Sequence, residues 1–195
     1  MKFENEHYVY FPLKVTSYIH GITTNNRIFI MYAQITQFTK MLHNLSLLLD
    51  KAQKHAVKNK FKPEILLNSR LSQDMLPLTS QVQMACDMAK LVASVLTGKQ
   101  APFFEDTEKT IPELKARIEK TIGYVTSMEQ NDFLGWEERI VAPPGWAGAF
   151  IGKEYFYQHG IPNFYFHMVT AYAILRHKGV EIGKMDYIGT LPFLR

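Results

Sequence analysis

A long amphipathic stretch, from Met31 to about Lys58, constrains the fold of this chain more than any other feature. Its apolar residues recur at the i, i+3, i+4, i+7 spacing of an α-helix. They are Ile35, Phe38, Met41, Leu42, Leu45, Leu48, Leu49 and Ala52. Such a helix has to bury its apolar face against other elements. The stretch therefore predicts the first helix of a helical domain.

Two further helices are predicted after it. One runs from about Ser72 to Leu96, and Gly98 is placed to end it in a left-handed conformation. Pro77 fits that helix only in its opening turn, because proline has no backbone N–H to donate, so the alternative is a regular helix that begins near Pro77. The next helix begins at Thr110, where Glu113 three residues later completes a capping box.

The last long helix is predicted from about Lys153 to Lys178. The stretch Gly160-Ile161-Pro162 predicts a kink or restart within it. Before it, Pro143-Pro144-Gly145 lies between two strand-like pieces and predicts a short hairpin or ordered loop. The tail from Val180 onward reads as irregular. Four long helices joined by medium linkers predict an all-α fold, a four-helix bundle.

The first 30 residues differ in character from the rest. They contain aromatic and β-branched residues without a helical period, and they end in the Gly- and Asn-rich sequence HGITTNN. We interpret residues 1–30 as an atypical N-terminal extension, either loosely attached or upstream of a native start at Met31, and residues 31–195 as the bundle domain. An N-terminal strand or short helix packed on the bundle is the alternative.

Composition excludes several classes of protein. With 195 residues, the chain is long enough for one domain with its own core. The net charge of +4 is scattered, so no nucleic-acid partner is expected. The single cysteine, Cys86, excludes a disulfide framework within the chain. Apolar runs fall short of the roughly 20 residues of a membrane helix, and a signal-peptide pattern is missing. We therefore expect a cytoplasmic protein without a membrane partner.

Few polar side chains of the second helix are predicted to face the core of the bundle. Gln81 falls on its apolar face, and Asp74 joins it if the helix extends far enough back. The opposite face carries Thr79, Gln83, Asp87, Lys90 and Ser94. Gln81 either braces a neighbouring helix or forms the wall of a polar cavity, since a buried amide needs partners. For Asp74 the alternative role is a helix cap.

The last helix carries a row of polar residues on an otherwise apolar surface. The row consists of His159, Asn163, His167, Thr170 and His177. His159 and His167 are weak candidates for metal ligands. A His–Asn–His row lacks an acidic or thiolate ligand, and a neutral amide oxygen binds transition metals weakly. Buried histidines are more often satisfied by hydrogen bonds, so we expect no resident cofactor, with a divalent metal as the alternative.

Three stretches resemble the DUF1993 family, an uncharacterised bacterial group related to the DinB/YfiT-like four-helix bundles. They are RLSQDMLPLTSQVQMACDMAK (70–90), FEDTEKTIPELKARI (104–118) and PNFYFHMVTAYAILRHKGVEIGKMDYIG (162–189). The resemblance extends from Met31 to about Gly189. It implies a DinB-like up-down-down-up bundle that is commonly a homodimer.

The resemblance also implies where a site would lie. In the broader superfamily a metal is usually held by three histidines, one on helix two and an H-x-x-x-H pair on helix four. By position Gln81 replaces the first histidine, Asn163 replaces the second, and His167 matches the third. The metal site is therefore expected to be degenerate, and the hydrolase or thiol-transferase activities of metal-bearing relatives do not carry over.

Three hypotheses for function follow from these residues. The first is a pocket formed by Gln81, Asn163 and His167, with Asp74 nearby, that binds a small polar ligand or a weak ion. The second is a metal-dependent enzyme in which His167 binds the metal and Asp74 or His159 completes the ligand set around an activated water. The third is a structural or dimerisation module whose site is vestigial.

Overall fold

The computed structural model describes residues 24–193, with side chains from Ile28 onward. These residues are mostly helical, and four helices are long: α1 (Thr24–Lys58), α3 (Leu78–Thr97), α4 (Ile111–Thr126) and α6 (Ile161–His177). Three are short: α2 (Glu64–Leu67), α5 (Gly152–Tyr155) and α7 (Lys184–Ile188). The all-α prediction is confirmed at this level.

The core lies between the four long helices. α3 packs most extensively on α6 and also on α4, while α1 packs mainly on α4. The predicted apolar stripe of α1 is buried along its whole length, from Ile35 to Ala52. Phe38 of α1 stacks on Phe164 of α6, with ring centroids 4.2 Å apart. Burying side chains of this size contributes about 1.5–3 kcal/mol each, so the stripe is a main source of stability.

The start of α1 differs from the prediction. α1 begins at Thr24, and not at Met31, so the predicted boundary at residue 30 is not a break in secondary structure. Both Ile28 and Met31 are buried. α1 opens with Thr24, Asn25 and Asn26, residues of low helix propensity, so the sequence indicated a break where the helix begins. Residues 1–23 lie outside the described part of the chain, and the interpretation of residues 1–30 as an extension stays a prediction.

The start of α3 is the later of the two that the sequence offered, near Pro77. Pro77 is the N-cap residue in an extended conformation, and the helix begins at Leu78 instead of Ser72. A residue preceding proline is pushed out of the helical region, which ends any helix approaching from Asp74. At the other end Gly98 has φ 75° and its N–H bonds to Ser94 O, as predicted for a left-handed cap.

The capping box of α4 is confirmed. The Glu113 backbone N–H donates to Thr110 Oγ1 over 3.4 Å, and Glu113 Oε2 accepts from the Thr110 backbone N–H over 3.0 Å. The predicted hairpin is confirmed as well. Strand β1 (Ile140–Val141) pairs antiparallel with β2 (Phe150–Ile151) in the register Ile140↔Ile151 and Val141↔Phe150. A 3₁₀ turn (Gln130–Phe133) lies between α4 and this hairpin.

The last long helix has the predicted irregularity. Between α5 and α6, residues Phe156–Gly160 form a π-helical turn in which the Ile161 N–H bonds to Phe156 O, five residues back. The wider turn accommodates Pro162, which has no N–H to donate. A Cβ on Gly160 would fall 2.8 Å from Val92 Cγ2, so glycine permits close packing of this turn on α3.

The tail is more ordered than the sequence indicates. α7 packs on α1, where Asn44 Nδ2 donates to Tyr187 O and Ile188 O, each over 3.0 Å. Lys51 of α1 forms an ion pair of 2.6 Å with Asp186. The prediction of an irregular tail is therefore wrong for Lys184–Ile188, because partners on α1 stabilise a helix too short to be stable alone.

Candidate functional site

The pair Gln81 and His167 forms the centre of the candidate site. Gln81 comes from the first turns of α3 and His167 from the middle of α6, the two helices with the most extensive contact. His167 Nδ1 lies 2.8 Å from Gln81 Oε1, and both side chains are buried, with exposed fractions of 8% and 1%. The sequence pattern placed both side chains inward, and the structure brings them into direct contact.

The network fixes the tautomer of the histidine. Gln81 Nε2 donates to Leu76 O over 3.1 Å, so Gln81 Oε1 is the atom turned towards His167. Because a carbonyl oxygen only accepts, His167 Nδ1 carries the proton and donates it. Burial lowers the pKa of His167 and favours this neutral form. His167 Nε2 is left with a lone pair and no hydrogen-bond partner among the described side chains.

Asn163 lies one helical turn before His167 on α6 and is half-buried. Its Nδ2 lies 3.5 Å from His159 Nε2 and 4.0 Å from the sulfur of Met88 on α3. The thioether is a weak acceptor, so the amide is only loosely held. Asn163 Oδ1 has no partner within the described residues. The amide can therefore both donate to and accept from a bound group.

His159 continues the row into the π-helical turn. Its ring packs edge-on against Trp146 at 5.0 Å and tilted against Tyr155 at 5.5 Å. Burial lowers the pKa of His159. The row thus joins an imidazole, an amide and a second imidazole along one face of the helix. Thr170, buried further along α6, bonds to Phe166 O of its own helix, and His177 is exposed at the helix end.

Asp74 does not join this group, and its predicted inward placement is wrong. It is exposed in the loop before α3, where Ser72 Oγ donates to Asp74 Oδ1 over 2.6 Å, and this bond lowers the pKa of Asp74. Nor does it cap α3, whose N-cap is Pro77. Among residues 28–193 no group of three His, Cys, Asp or Glu side chains is arranged to hold a metal.

A second polar cluster was missed by the sequence reasoning. Arg117 of α4 is almost completely buried and pairs with Asp87 of α3 at 2.9 Å, Asp106 at 2.9 Å and Glu108 at 3.1 Å. Lys90 pairs with Asp87 at 2.9 Å. We refer to Arg117, Asp87, Asp106, Glu108 and Lys90 as the Arg117 cluster.

The surroundings of the Arg117 cluster pair most of its polar atoms, and the buried Arg117 Nε is left without a hydrogen-bond partner among the described residues. Gln83 Nε2 donates to Glu108 Oε2 over 2.8 Å, and the Phe104 ring lies 4.2 Å from Lys90 Nζ. Burial by itself would raise the pKa of Glu108, but hydrogen bonds from Gln83 and Arg117 outweigh it and lower the pKa. The predicted solvent-facing position of Gln83 and Lys90 is therefore wrong, because residues 99–109 cover that face of α3.

One sequence signal could have located this cluster. Arg117 lies three residues after Leu114 and one before Ile118, two apolar residues at helical spacing that mark the buried face of α4. A buried arginine requires anionic partners, which points to nearby acidic residues. Cys86 lies beside the cluster with no exposed surface, and burial raises the pKa of its thiol to about 12. Such a thiol is a poor nucleophile.

Most of the chain, including both polar clusters, matches a known protein family. A sequence model of the family described as "Domain of unknown function (DUF1993)" matches residues 31–188. The chain belongs to the DUF1993 family. The resemblance drawn from the three sequence stretches is thereby confirmed, and the matched range contains both the candidate site and the Arg117 cluster.

The solved structures include a close relative of this DUF1993 protein. The crystal structure of a DinB family member from Shewanella denitrificans is 40% identical in sequence and superposes with a TM-score of 0.85. The match covers 88% of this chain and 98% of that one. A search of curated proteins finds no match. The helical fold is thus shared with a DinB family member. No helix in the described part of the chain is long and apolar enough to cross a membrane.

Proposed function

We propose that this DUF1993 protein binds a small polar ligand, or a weakly held ion, between α3 and α6, without a firmly held catalytic metal. The observation that carries the proposal is the 2.8 Å hydrogen bond between His167 Nδ1 and Gln81 Oε1. It orients the imidazole and leaves Nε2 as an acceptor, one helical turn along α6 from the loosely held amide of Asn163. Small-ligand sites typically place a few preorganised polar groups with unused hydrogen-bonding capacity in a mostly apolar setting.

The chemistry of the site favours a ligand that carries a donor next to an acceptor, such as a hydroxyl or an amide. His167 Nε2 accepts a hydrogen bond, while Asn163 can donate and accept. A firmly bound divalent ion is disfavoured, because only His167 and His159 have lone pairs suited to it and Gln81 is already engaged. The degenerate metal site of the family comparison is part of this proposal.

The first experiment measures metal content. Protein purified without chelator is analysed by mass spectrometry, and we expect substoichiometric zinc, nickel and iron. Stoichiometric metal that is lost in His167→Ala would contradict the proposal and favour a metal-dependent DinB-type enzyme.

A second experiment measures the tautomer of His167 and the response of its Nε2 to added ligands. Long-range ¹H–¹⁵N spectra of the histidine rings should show His167 as the neutral Nδ1–H tautomer at pH 7.5. Glycerol, acetamide and imidazole serve as polar probes, and their addition should shift His167 Nε2 in the wild type but not in Asn163→Ala. An unresponsive Nε2 with every probe would support a vestigial site in a structural module.

The finer features expected of the fold are part of the proposal. We propose the up-down-down-up order for the four long helices, supported by the neighbours of α3 and α1 in the core.

We also propose a homodimer in the cytoplasm. Phe166 and Val169, exposed by 54% and 50% on one face of α6, support a contact there. Analytical ultracentrifugation of wild type and Phe166→Ser tests it, and a monomeric wild type would contradict it.

A further inference from the structure

A separate cleft lies between the C-terminal end of α3 and the hairpin. Its volume is about 530 Å³. That size lies within the range of about 300–1,000 Å³ typical of small-molecule sites. The lining includes none of the residues Gln81, Asn163 or His167, so the cleft is independent of the candidate site.

The charged groups of this cleft are all positive. Arg139 and Lys99 line it, and no carboxylate side chain does. Lys99 forms an ion pair with Asp132, which lies outside the lining. Arg139 Nη2 donates to Leu134 O over 3.0 Å, and Arg139 has no ion pair within residues 28–193. One guanidinium charge in the lining is therefore not balanced by an acidic side chain.

Hydrogen bonds at both its N–H and its carbonyl hold the backbone of Arg139 in place. The Arg139 N–H donates to Gly135 O over 3.1 Å, and Arg139 O accepts from the Gly152 N–H over 2.8 Å. A Cβ on Gly98 would fall 2.8 Å from Arg139 Nη1, so the guanidinium lies directly against the C-terminal cap of α3. The carbonyl end of a helix carries only about half a negative charge, which does not cancel a full positive one.

The remaining walls are largely apolar. Leu91 and Val95 of α3 form one side, and Val141 and Pro144 of the hairpin form the other. An apolar wall contributes binding free energy by removing ligand surface from water, while an arginine can hold a carboxylate through two parallel hydrogen bonds. A cleft with one free guanidinium and apolar walls therefore suits an amphipathic anion.

We propose that the cleft between α3 and the hairpin binds a small organic carboxylate with an apolar body. Arg139 binds the carboxylate group, Lys99 adds to the positive field at the rim, and the apolar body lies between Val95 and Val141.

The test is calorimetric titration of the full chain with octanoate below its micelle concentration, beside the uncharged analogue octan-1-ol. We expect octanoate to bind at least about tenfold more tightly, since a charge-assisted hydrogen bond is lost with the alcohol. Equal affinity for the two probes overturns the assignment of a carboxylate. Failure of octanoate to bind overturns the site.

Matched variants locate the binding. Arg139→Gln should weaken octanoate binding by about tenfold or more. Arg70→Gln is the control, because Arg70 is exposed and likewise donates to a backbone carbonyl five residues away, Met75 O. Ala142→Glu places an anion on the exposed rim and should abolish binding. An equal loss in Arg139→Gln and Arg70→Gln overturns the proposal. Asn163→Ala should bind octanoate as the wild type does, which separates this cleft from the polar site.

Discussion

The Arg117 cluster and the Gln81–His167 pair both bury polar side chains against α3, but they differ in whether their main polar groups find partners within the chain. Arg117 contacts three carboxylates, and Glu108 accepts one further hydrogen bond from Gln83, so the charges of the cluster are paired although the buried Arg117 Nε has no hydrogen-bond partner among the described residues. In the candidate site Gln81 is satisfied, while His167 Nε2 and Asn163 Oδ1 have no partner within the described residues.

This difference distinguishes a structural role from a binding role. Charges satisfied by the chain itself have little left to offer a ligand, and removing one of them leaves the others uncompensated. An oriented group with a free lone pair can bind a partner from solution at little cost in reorganisation. We therefore expect substitutions in the Arg117 cluster to act on stability, and substitutions at Asn163 and His167 Nε2 to act on binding.

The largest effect is expected for Arg117→Met. It leaves Glu108 without its cation and Asp87 with Lys90 alone in a partly buried setting, where breaking a pair costs about 3–5 kcal/mol. Because the carboxylate partners retain some contact with solvent, we expect the lower value, about 3 kcal/mol. Urea unfolding followed by circular dichroism measures it.

The control for this substitution is Lys120→Met, one turn further along α4 on its exposed side. Surface substitutions of this kind usually change the free energy of unfolding by less than about 0.5 kcal/mol. If Arg117→Met also stays within that range, the cluster is not a structural element, and the comparison with the candidate site fails.

The next largest effect is expected for Gln81→Leu. It leaves the Nδ1–H of His167 buried without an acceptor, which costs about 1–3 kcal/mol. The double variant with His167→Leu removes both partners and should recover part of that loss. A coupling free energy of about 1 kcal/mol in the double-mutant cycle would measure the hydrogen bond. Strict additivity of the two single effects would mean that the pair does not interact in solution.

The sequence predicted the parts of this arrangement that depend on periodicity. Gln81 and His167 fall on the inner stripes of their helices, and side chains on facing stripes meet when the helices pack. The capping box of α4 and the cap at Gly98 depend on short-range hydrogen bonds, so local residues were sufficient to locate them.

The rest depended on contacts between segments distant in the chain. Asp106 and Glu108 lie in a loop without a period, and only the folded chain shows that this loop covers Lys90 and pairs with Arg117. The ordered tail likewise depends on Asn44 and Lys51 of α1. Asp74 lies outside the site because α3 begins at Leu78, after Pro77, and does not extend back as far as its inward placement required.

A smaller effect is expected on the pH dependence of stability. Burial lowers the pKa of folded His167, so the unfolded chain binds more protons below the ordinary histidine pKa of about 6.5. Stability from neutral His167 is therefore fully present above about pH 6.5 and falls as the pH drops towards the folded pKa. In His167→Gln the free energy of unfolding should fall less steeply between pH 6.5 and 5. Asn163→Ala removes no titratable group, so its free energy of unfolding should depend on pH as in the wild type. If the slope against pH were also unchanged in His167→Gln, burial would not hold this imidazole neutral.

The smallest effect is expected for Asp74→Ala, which tests the boundary of the candidate site. Asp74 is exposed and bonds only to Ser72 within its own loop, so its removal should leave both the unfolding midpoint and the ¹⁵N shift of His167 Nε2 unchanged. Asn163→Ala should move that shift, because its amide lies one turn away on the same helix face. If Asp74→Ala also moved it, the loop before α3 would have to close over the site in solution. The free valences of His167 and Asn163 would then be shared with a carboxylate, and the contrast with the Arg117 cluster would largely disappear.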